Sequence, residues 1–179
     1  MTLVAMWEGL VRANVRFVVI GGVAATAQGS ARITEDLDVC YDPAPDNAEG
    51  LARLLNDWNA RLYLPREPNT PLPFVIDAKT FRDAPNLTLV TDLGRLDVLG
   101  IVTGLGGYAA ALSASEGIAV GAVELRVLTL DALIASKRAA GRQQDHDHLI
   151  ELEAIRALKQ VQAKPSPQRS RSPYSRRSR

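Results

Sequence analysis

The stretch Phe17-Val18-Val19-Ile20-Gly21-Gly22, followed after thirteen residues by Asp36-Leu37-Asp38-Val39, decides how the chain is read. Four consecutive β-favouring apolar residues predict a buried strand. Gly21-Gly22 ends it, and Val23-Ala24-Ala25-Thr26-Ala27 resumes a helix-forming composition, so the glycines occupy a strand-to-helix turn. Gly29-Ser30 closes that helix. Leu37 to Tyr41 predicts a second strand, with Leu37, Val39 and Tyr41 on one face and Asp36, Asp38 and Cys40 on the other. Both acids therefore point the same way.

Working outward, Leu3, Met6, Trp7, Leu10 and Val11 recur at helical intervals and predict a helix before the first strand. After Pro43 and Pro45, Asp46 is placed to cap a helix whose stripe is Leu51, Leu54 and Leu55, ending near Trp58. Tyr63 to Pro73 carries four prolines and reads as a surface loop. A short helix near Ala78 to Arg82 then leads to the strand Leu87 to Val90. Asp92-Leu93-Gly94 turns the chain into a hairpin partner, Arg95 to Leu99, on which Asp97 lies opposite to Leu96 and Val98. Gly104, Gly106 and Gly107 predict a loose connection to a short helix at Tyr108 to Leu112, and Val123 to Leu128 a last strand.

Two helices complete the body. Thr129 is the expected N-cap of the first, with Asp131 in its first turn and Gly141 as its C-terminal stop. The second spans about Gln143 to Gln160 and is expected to turn Leu149, Ile150, Leu152, Ile155 and Leu158 toward the core.

The 179 residues suit one α/β domain of α+β-like layout, residues 1–163, with a mixed sheet and helices packed around it. Hydrophobic residues at 46% and charged ones at 23% argue against wholesale disorder or a fibrous class. No apolar run of about 18 residues occurs and no basic region precedes Leu3-Val4, so no membrane span is expected and a cytoplasmic setting is the default. One cysteine, Cys40, excludes an internal disulfide, and two histidines offer no cysteine-rich zinc framework. The last sixteen residues hold six of the 21 basic residues and none of the 20 acidic ones, so the net charge of +1 divides into −5 on residues 1–163 and +6 on a Ser/Arg/Pro tail. That tail, 164–179, is expected to be disordered. Its arginines suit salt-sensitive contact with RNA or simple solvation.

Carboxylates at i and i+2 on a strand can grip one divalent cation or bridge two, and a third acid from a neighbouring strand completes such a site. Asp36, Asp38 and Asp97 suit those positions, and magnesium or manganese would be the natural cofactor. A double glycine lets backbone amides approach a triphosphate closely, and the helix start behind it favours anions. This is the equipment of phosphoryl and nucleotidyl transfer.

These elements resemble the polymerase-beta-like nucleotidyltransferase superfamily. The run Ser30-Ala31-Arg32-Ile33-Thr34-Glu35-Asp36-Leu37-Asp38 is similar to the small bacterial branch containing toxins of AbiEii type, and Ala135 to Asp145 resembles that branch's helical Lys and Arg/Lys-Asp element. The resemblance covers roughly Phe17 to Leu152. It implies phosphate contacts at Gly21 and Gly22, nucleotide contacts at Arg32 and Thr34, metal ligands at Asp36, Asp38 and Asp97, the last of which could instead assist deprotonation, and a triphosphate contact at Lys137. It further implies that Asp145 orients Lys137 or the nucleotide. The sequence departs from the family where Gln144 replaces a frequent lysine, His148 a frequent aspartate and Gly22 a frequent serine.

Each residue also has a plainer reading. Lys137 and Arg138 oppose the helix dipole in a last turn, Arg32 could form a loop salt bridge, and Cys40 suits a small core position. His146 and His148, at i and i+2 on a helix, do not face each other and read as surface or hydrogen-bonded groups. The expectation from sequence is a metal-dependent transfer of a nucleoside monophosphate from an NTP to RNA or a tRNA end, a protein or a small molecule, with a cognate toxin or antitoxin as partner. The alternative is a catalytically impaired nucleotide- or partner-binding module.

Overall fold

The computed structural model describes residues 3–64, 72–73, 75–121 and 123–163; the tail expected to be disordered lies outside them. The elements are α1 (Leu3–Arg12), β1 (Phe17–Ile20), α2 (Gly21–Ala27), β2 (Asp36–Tyr41), α3 (Pro45–Asp57), β3 (Arg61–Leu62), β4 (Leu72–Pro73) and α4 (Ala78–Asp83). They continue with β5 (Asn86–Thr91), β6 (Gly94–Leu99), β7 (Ile101–Val102), β8 (Gly106–Gly107), α5 (Tyr108–Ser113), β9 (Ser115–Val120), β10 (Val123–Leu128), α6 (Leu130–Ala140) and α7 (His146–Ala163). Eight strands form one mixed sheet in the order β4-β3-β5-β6-β2-β1-β10-β9, and β7 with β8 makes a separate small hairpin.

The sheet's centre is built from the strands read first. β1 runs antiparallel to β2 and parallel to β10, while β2 runs parallel to β6. All four residues of β1 are buried, as expected of a strand covered on both faces. In β2 the pleat puts Leu37, Val39 and Tyr41 on one face, where the Tyr41 ring lies 5.0 Å from that of Phe81 on α4. The opposite face turns Asp36 and Asp38 toward α2 and α6. Buried Leu10, Leu51, Leu55, Leu89, Leu96, Leu133, Ile134 and Leu152 complete the core.

Several expectations are revised. α2 starts at the glycines themselves rather than at Val23. Ala44, without a side-chain cap, precedes α3, because Pro45 occupies the first turn and Asp46 instead accepts hydrogen bonds from Arg16 at 2.9 and 3.0 Å. Leu72–Pro73 pairs with β3, so the proline-rich stretch contributes an edge strand at its end; residues 65–71 lie outside the described set. The glycine connection is the β7–β8 hairpin. β9, whose Ser115-Glu116-Gly117 start carries no apolar pattern, is a strand because its backbone pairs with all of β10.

α6 follows the sequence closely: the Thr129 side chain accepts from the Ala132 amide, and Gly141 closes the helix at φ 58°. α7 does not. Leu152 is buried and Leu149 and Ile155 pack against the core, but Ile150 and Leu158 are 55% and 63% exposed. A terminal helix packed on one side can bury only one stripe, and residues 148, 152, 155 and 159 define it. Replacing Leu152 with Ala should therefore cost about 2–5 kcal/mol of unfolding free energy, whereas Ile150→Gln and Leu158→Gln should each stay within about 0.5 kcal/mol; denaturant titration of the three variants measures both.

Candidate active site

Asp38 of β2 stands directly across from Asp97 of β6 in the parallel register, and Asp36 stands across from Arg95. Because neighbouring strands share their pleat, all four side chains lie on one face. They form the floor of a cleft of about 490 Å³ whose walls are the start of α2, residues Arg32 to Thr34, the β7–β8 hairpin and α6 with the residues after it. Lys137, Arg142, Asp145 and His148 reach into it from that last wall. The structure thus brings together Gly21, Gly22, Arg32, Thr34, Asp36, Asp38, Asp97, Lys137 and Asp145.

Gly21 sits at φ +60°, and a Cβ built there would lie 1.9 Å from Asp38 Oδ2. Any side chain at 21 would displace the carboxylate. At Gly22 a Cβ would meet Thr34 Oγ1 at 2.6 Å, so a serine at this position would contend with Thr34 for the same space. The Gly22 amide donates to Asp38 Oδ2 over a long 3.4 Å. Thr34 in turn donates to Asp36 Oδ1 at 2.5 Å, and Arg95, which also lies over the Tyr63 ring at 4.7 Å, approaches Asp36 Oδ2 at 3.7 Å.

The electrostatics single out Asp38. Burial, and after it the charges of Asp97 and Asp36, push its carboxyl up to about 7. Burial likewise raises Asp97, whose Oδ1 is buried with no hydrogen-bond partner. Two half-buried carboxyls of like charge, one with an orphaned oxygen, suit a hard divalent cation, which prefers oxygen donors and would relieve both costs. Among the described residues, however, no three His, Cys, Asp or Glu side chains gather closely enough to hold a metal ion as they stand. Asp36 has both carboxylate oxygens engaged by Thr34 and Arg95, and would have to leave them to join Asp38 and Asp97.

On the opposite wall Lys137 Nζ donates to Asp145 Oδ1 at 2.7 Å, both side chains being largely covered. Arg32 pairs with Glu151 at 2.9 Å. His148 is buried with Nε2 3.5 Å from Ser30 Oγ, and burial together with the charges of Lys137 and Arg32 lowers its pKa, which favours the neutral ring. His146 is exposed and Cys40 fully buried. Sequence reading missed Arg95, Arg142 and Glu151. Arg95 was within reach, since it shares the strand face of Asp97 two residues away. Glu151 acts on a loop 120 positions earlier and leaves no local signal.

No family model matches the sequence, nor does any curated protein. Solved structures do match. The lincomycin-bound lincosamide antibiotic adenylyltransferase LnuA superposes with a TM-score of 0.56 at 14% identity, over 86% of this chain and 95% of that one. The chain has the nucleotidyltransferase fold. ANT(2'')-Ia in complex with adenylyl-2''-tobramycin superposes with a TM-score of 0.52 at 13% identity, over 92% of this chain and all of that one. Within this nucleotidyltransferase fold no helix among the described residues is long and apolar enough to cross a membrane.

Linkage fixes the sign of one consequence. The folded-state pKa of Asp38 lies above its unfolded value near 4, so the native protein holds a proton that the unfolded chain has released, and stability falls as pH rises from about 4 to about 7. In EDTA at pH 8, Asp38→Asn should therefore be more stable than the wild type by roughly 2–4 kcal/mol, and the gain should shrink toward zero near pH 4. Thermal unfolding across that pH range checks it.

Proposed function

We propose that the protein is a metal-dependent nucleotidyltransferase that moves a nucleoside monophosphate from an NTP to a nucleophile, normally a hydroxyl. The observation that carries this reading is the pairing of Asp38 with Asp97 across β2 and β6, beneath the Gly21-Gly22 backbone and opposite Lys137. The superposition with two transferases of the same fold supports the reaction class, and the Arg-x-Thr-x-Asp-x-Asp run supports the assignment of roles.

Asp38 and Asp97, joined by Asp36, would hold magnesium or manganese. Such ions neutralise charge on the phosphates and lower the pKa of an acceptor hydroxyl. Gly21 and Gly22 present backbone without a Cβ and allow the phosphate chain to lie against β1 and β2. Lys137, steered by Asp145, and Arg32 on the other wall face the phosphates, where positive charge stabilises the departing pyrophosphate. Asp97 would complete the metal site or assist deprotonation of the acceptor. The acceptor belongs to one of three classes: an RNA or tRNA end, a protein side chain, or a small molecule of the kind named for the two superposed transferases. By the resemblance to the AbiEii-type branch, the chain would act as one component of a toxin–antitoxin pair in the cytoplasm.

One observation favours a second reading, a nucleotide- or partner-binding module without turnover. Asp36 is tied to Thr34 and Arg95, which leaves two carboxylates rather than three for metal.

Labelled NTPs, magnesium and a cell extract distinguish the two. Active transfer predicts label on an acceptor with release of pyrophosphate, both reduced at least about 10³-fold in Asp38→Asn and Asp97→Asn. Magnesium-dependent NTP binding with no pyrophosphate release across the acceptor panel would establish the binding module instead.

A further inference from the structure

The loop between α2 and β2 carries Arg32 and Thr34 into the cleft, yet it is irregular and Ile33 at its tip is 94% exposed. Its anchor comes from the far end of the chain. The Glu151 carboxylate on α7 accepts hydrogen bonds from three successive loop residues: Ser30 Oγ at 2.8 Å and the Ala31 amide at 2.9 Å, both on Oε1, and Arg32 Nε at 2.9 Å on Oε2. One turn earlier on α7, His148 lies against the same Ser30 hydroxyl. Two turns later Lys159 Nζ donates to Gln28 Oε1 at 3.1 Å. One face of α7 thus grips the loop from its first residue to the arginine.

We propose that Glu151 is a positioning residue of the active site, fixing the Arg32 guanidinium toward the cleft so that it receives the phosphates of the nucleotide. The inference rests on the reading of the cleft as an NTP site. An arginine loses considerable rotamer freedom when it is held in one geometry, so an arginine already held binds phosphate more tightly than a free one. Glu151 engages Nε and leaves the two terminal amino groups, the fork that recognises phosphate oxygens in a bidentate manner. As an isolated ion pair, with the Arg32 side chain 46% exposed, it would contribute little to stability. Its bonds to buried Ser30 and to the Ala31 amide are what register the carboxylate against the loop.

The test uses the full chain and measures NTP affinity in magnesium by calorimetry, alongside thermal unfolding. In Glu151→Gln the amide oxygen can retain Ser30 and Ala31, while its NH₂ group then faces Arg32 and breaks the pair. The expected result is an NTP Kd raised about tenfold with the melting temperature little changed, and no further loss when Glu151→Gln is added to Arg32→Ala. Arg32→Lys keeps the Ser30 and Ala31 bonds to Glu151 and lacks the fork, so it should reproduce the loss even if Glu151→Gln folds poorly. Unchanged affinity in Glu151→Gln, an equal loss in the Arg32→Ala background, or full affinity in Arg32→Lys would each overturn the proposal. A wild-type chain that binds no NTP overturns the parent reading of the cleft and this inference with it, and the wild-type titration reveals that separately.

Discussion

The parallel register of β2 on β6 sets Asp38 opposite Asp97, and the pairing of those two half-buried carboxyls is the constraint around which the molecule is arranged. Like charges at such proximity in a covered site disfavour joint ionisation, and the protein keeps them there because the strands that bear them are fixed from both sides. β1 is buried throughout and pairs with β2 and β10, and Leu96 and Val98 lock β6 by pointing to the other face. A one-residue slip of β6 would send Asp97 into the core and Leu96 into the cleft, an exchange too costly to occur. Register is thus enforced by the hydrophobic effect and expressed as chemistry on the opposite face.

Space around the acids is allotted with equal economy. Gly21 lacks a Cβ because Asp38 occupies the place one would take, and the positive φ that such a turn requires is tolerated best by glycine. Gly22 leaves room for Thr34, whose hydroxyl holds Asp36. Thr34 belongs to the loop gripped by α7, so the last helix bears on the first acid through a chain of direct contacts: Glu151 to Arg32, then two residues along the backbone to Thr34, then Asp36. The same helix follows the short turn that supplies Asp145 to Lys137.

What could be read in the sequence divides along the same lines. β1, β2 and the β5–β6 hairpin were legible because apolar runs and alternation report burial directly, and the parity of Asp36, Asp38 and Asp97 followed from the pleat. α6 was legible because Thr129 and Gly141 are local signals. β9 was not, since its Ser-Glu-Gly start carries no apolar pattern and only pairing to β10 makes it a strand. Nor was the inward face of α7: its apolar residues lie on two stripes, and only packing against α6 and the α2–β2 loop selects the one with Leu152. Arg142 and Glu151 joined the site through tertiary placement, which spacing along the chain does not encode.

Asp36 is tied to Thr34 and Arg95, and a cation held by Asp38 and Asp97 would compete with those ties for its carboxylate. A hydrogen bond from the Thr34 hydroxyl to a charged carboxylate contributes about 1.5–3 kcal/mol, and the half-exposed Arg95 pair about 0–1 kcal/mol. Against this, holding the Asp38 carboxyl at about 7 rather than 3.8 corresponds to roughly 4 kcal/mol of unfavourable interaction with its surroundings. Asp97 adds a further cost through its orphaned oxygen. A divalent cation would relieve those penalties together and would gain Asp36 as a ligand in exchange for its two present contacts. That cost, set first by burial and then by the charges of Asp97 and Asp36, is of the same order as the ties that hold Asp36 aside.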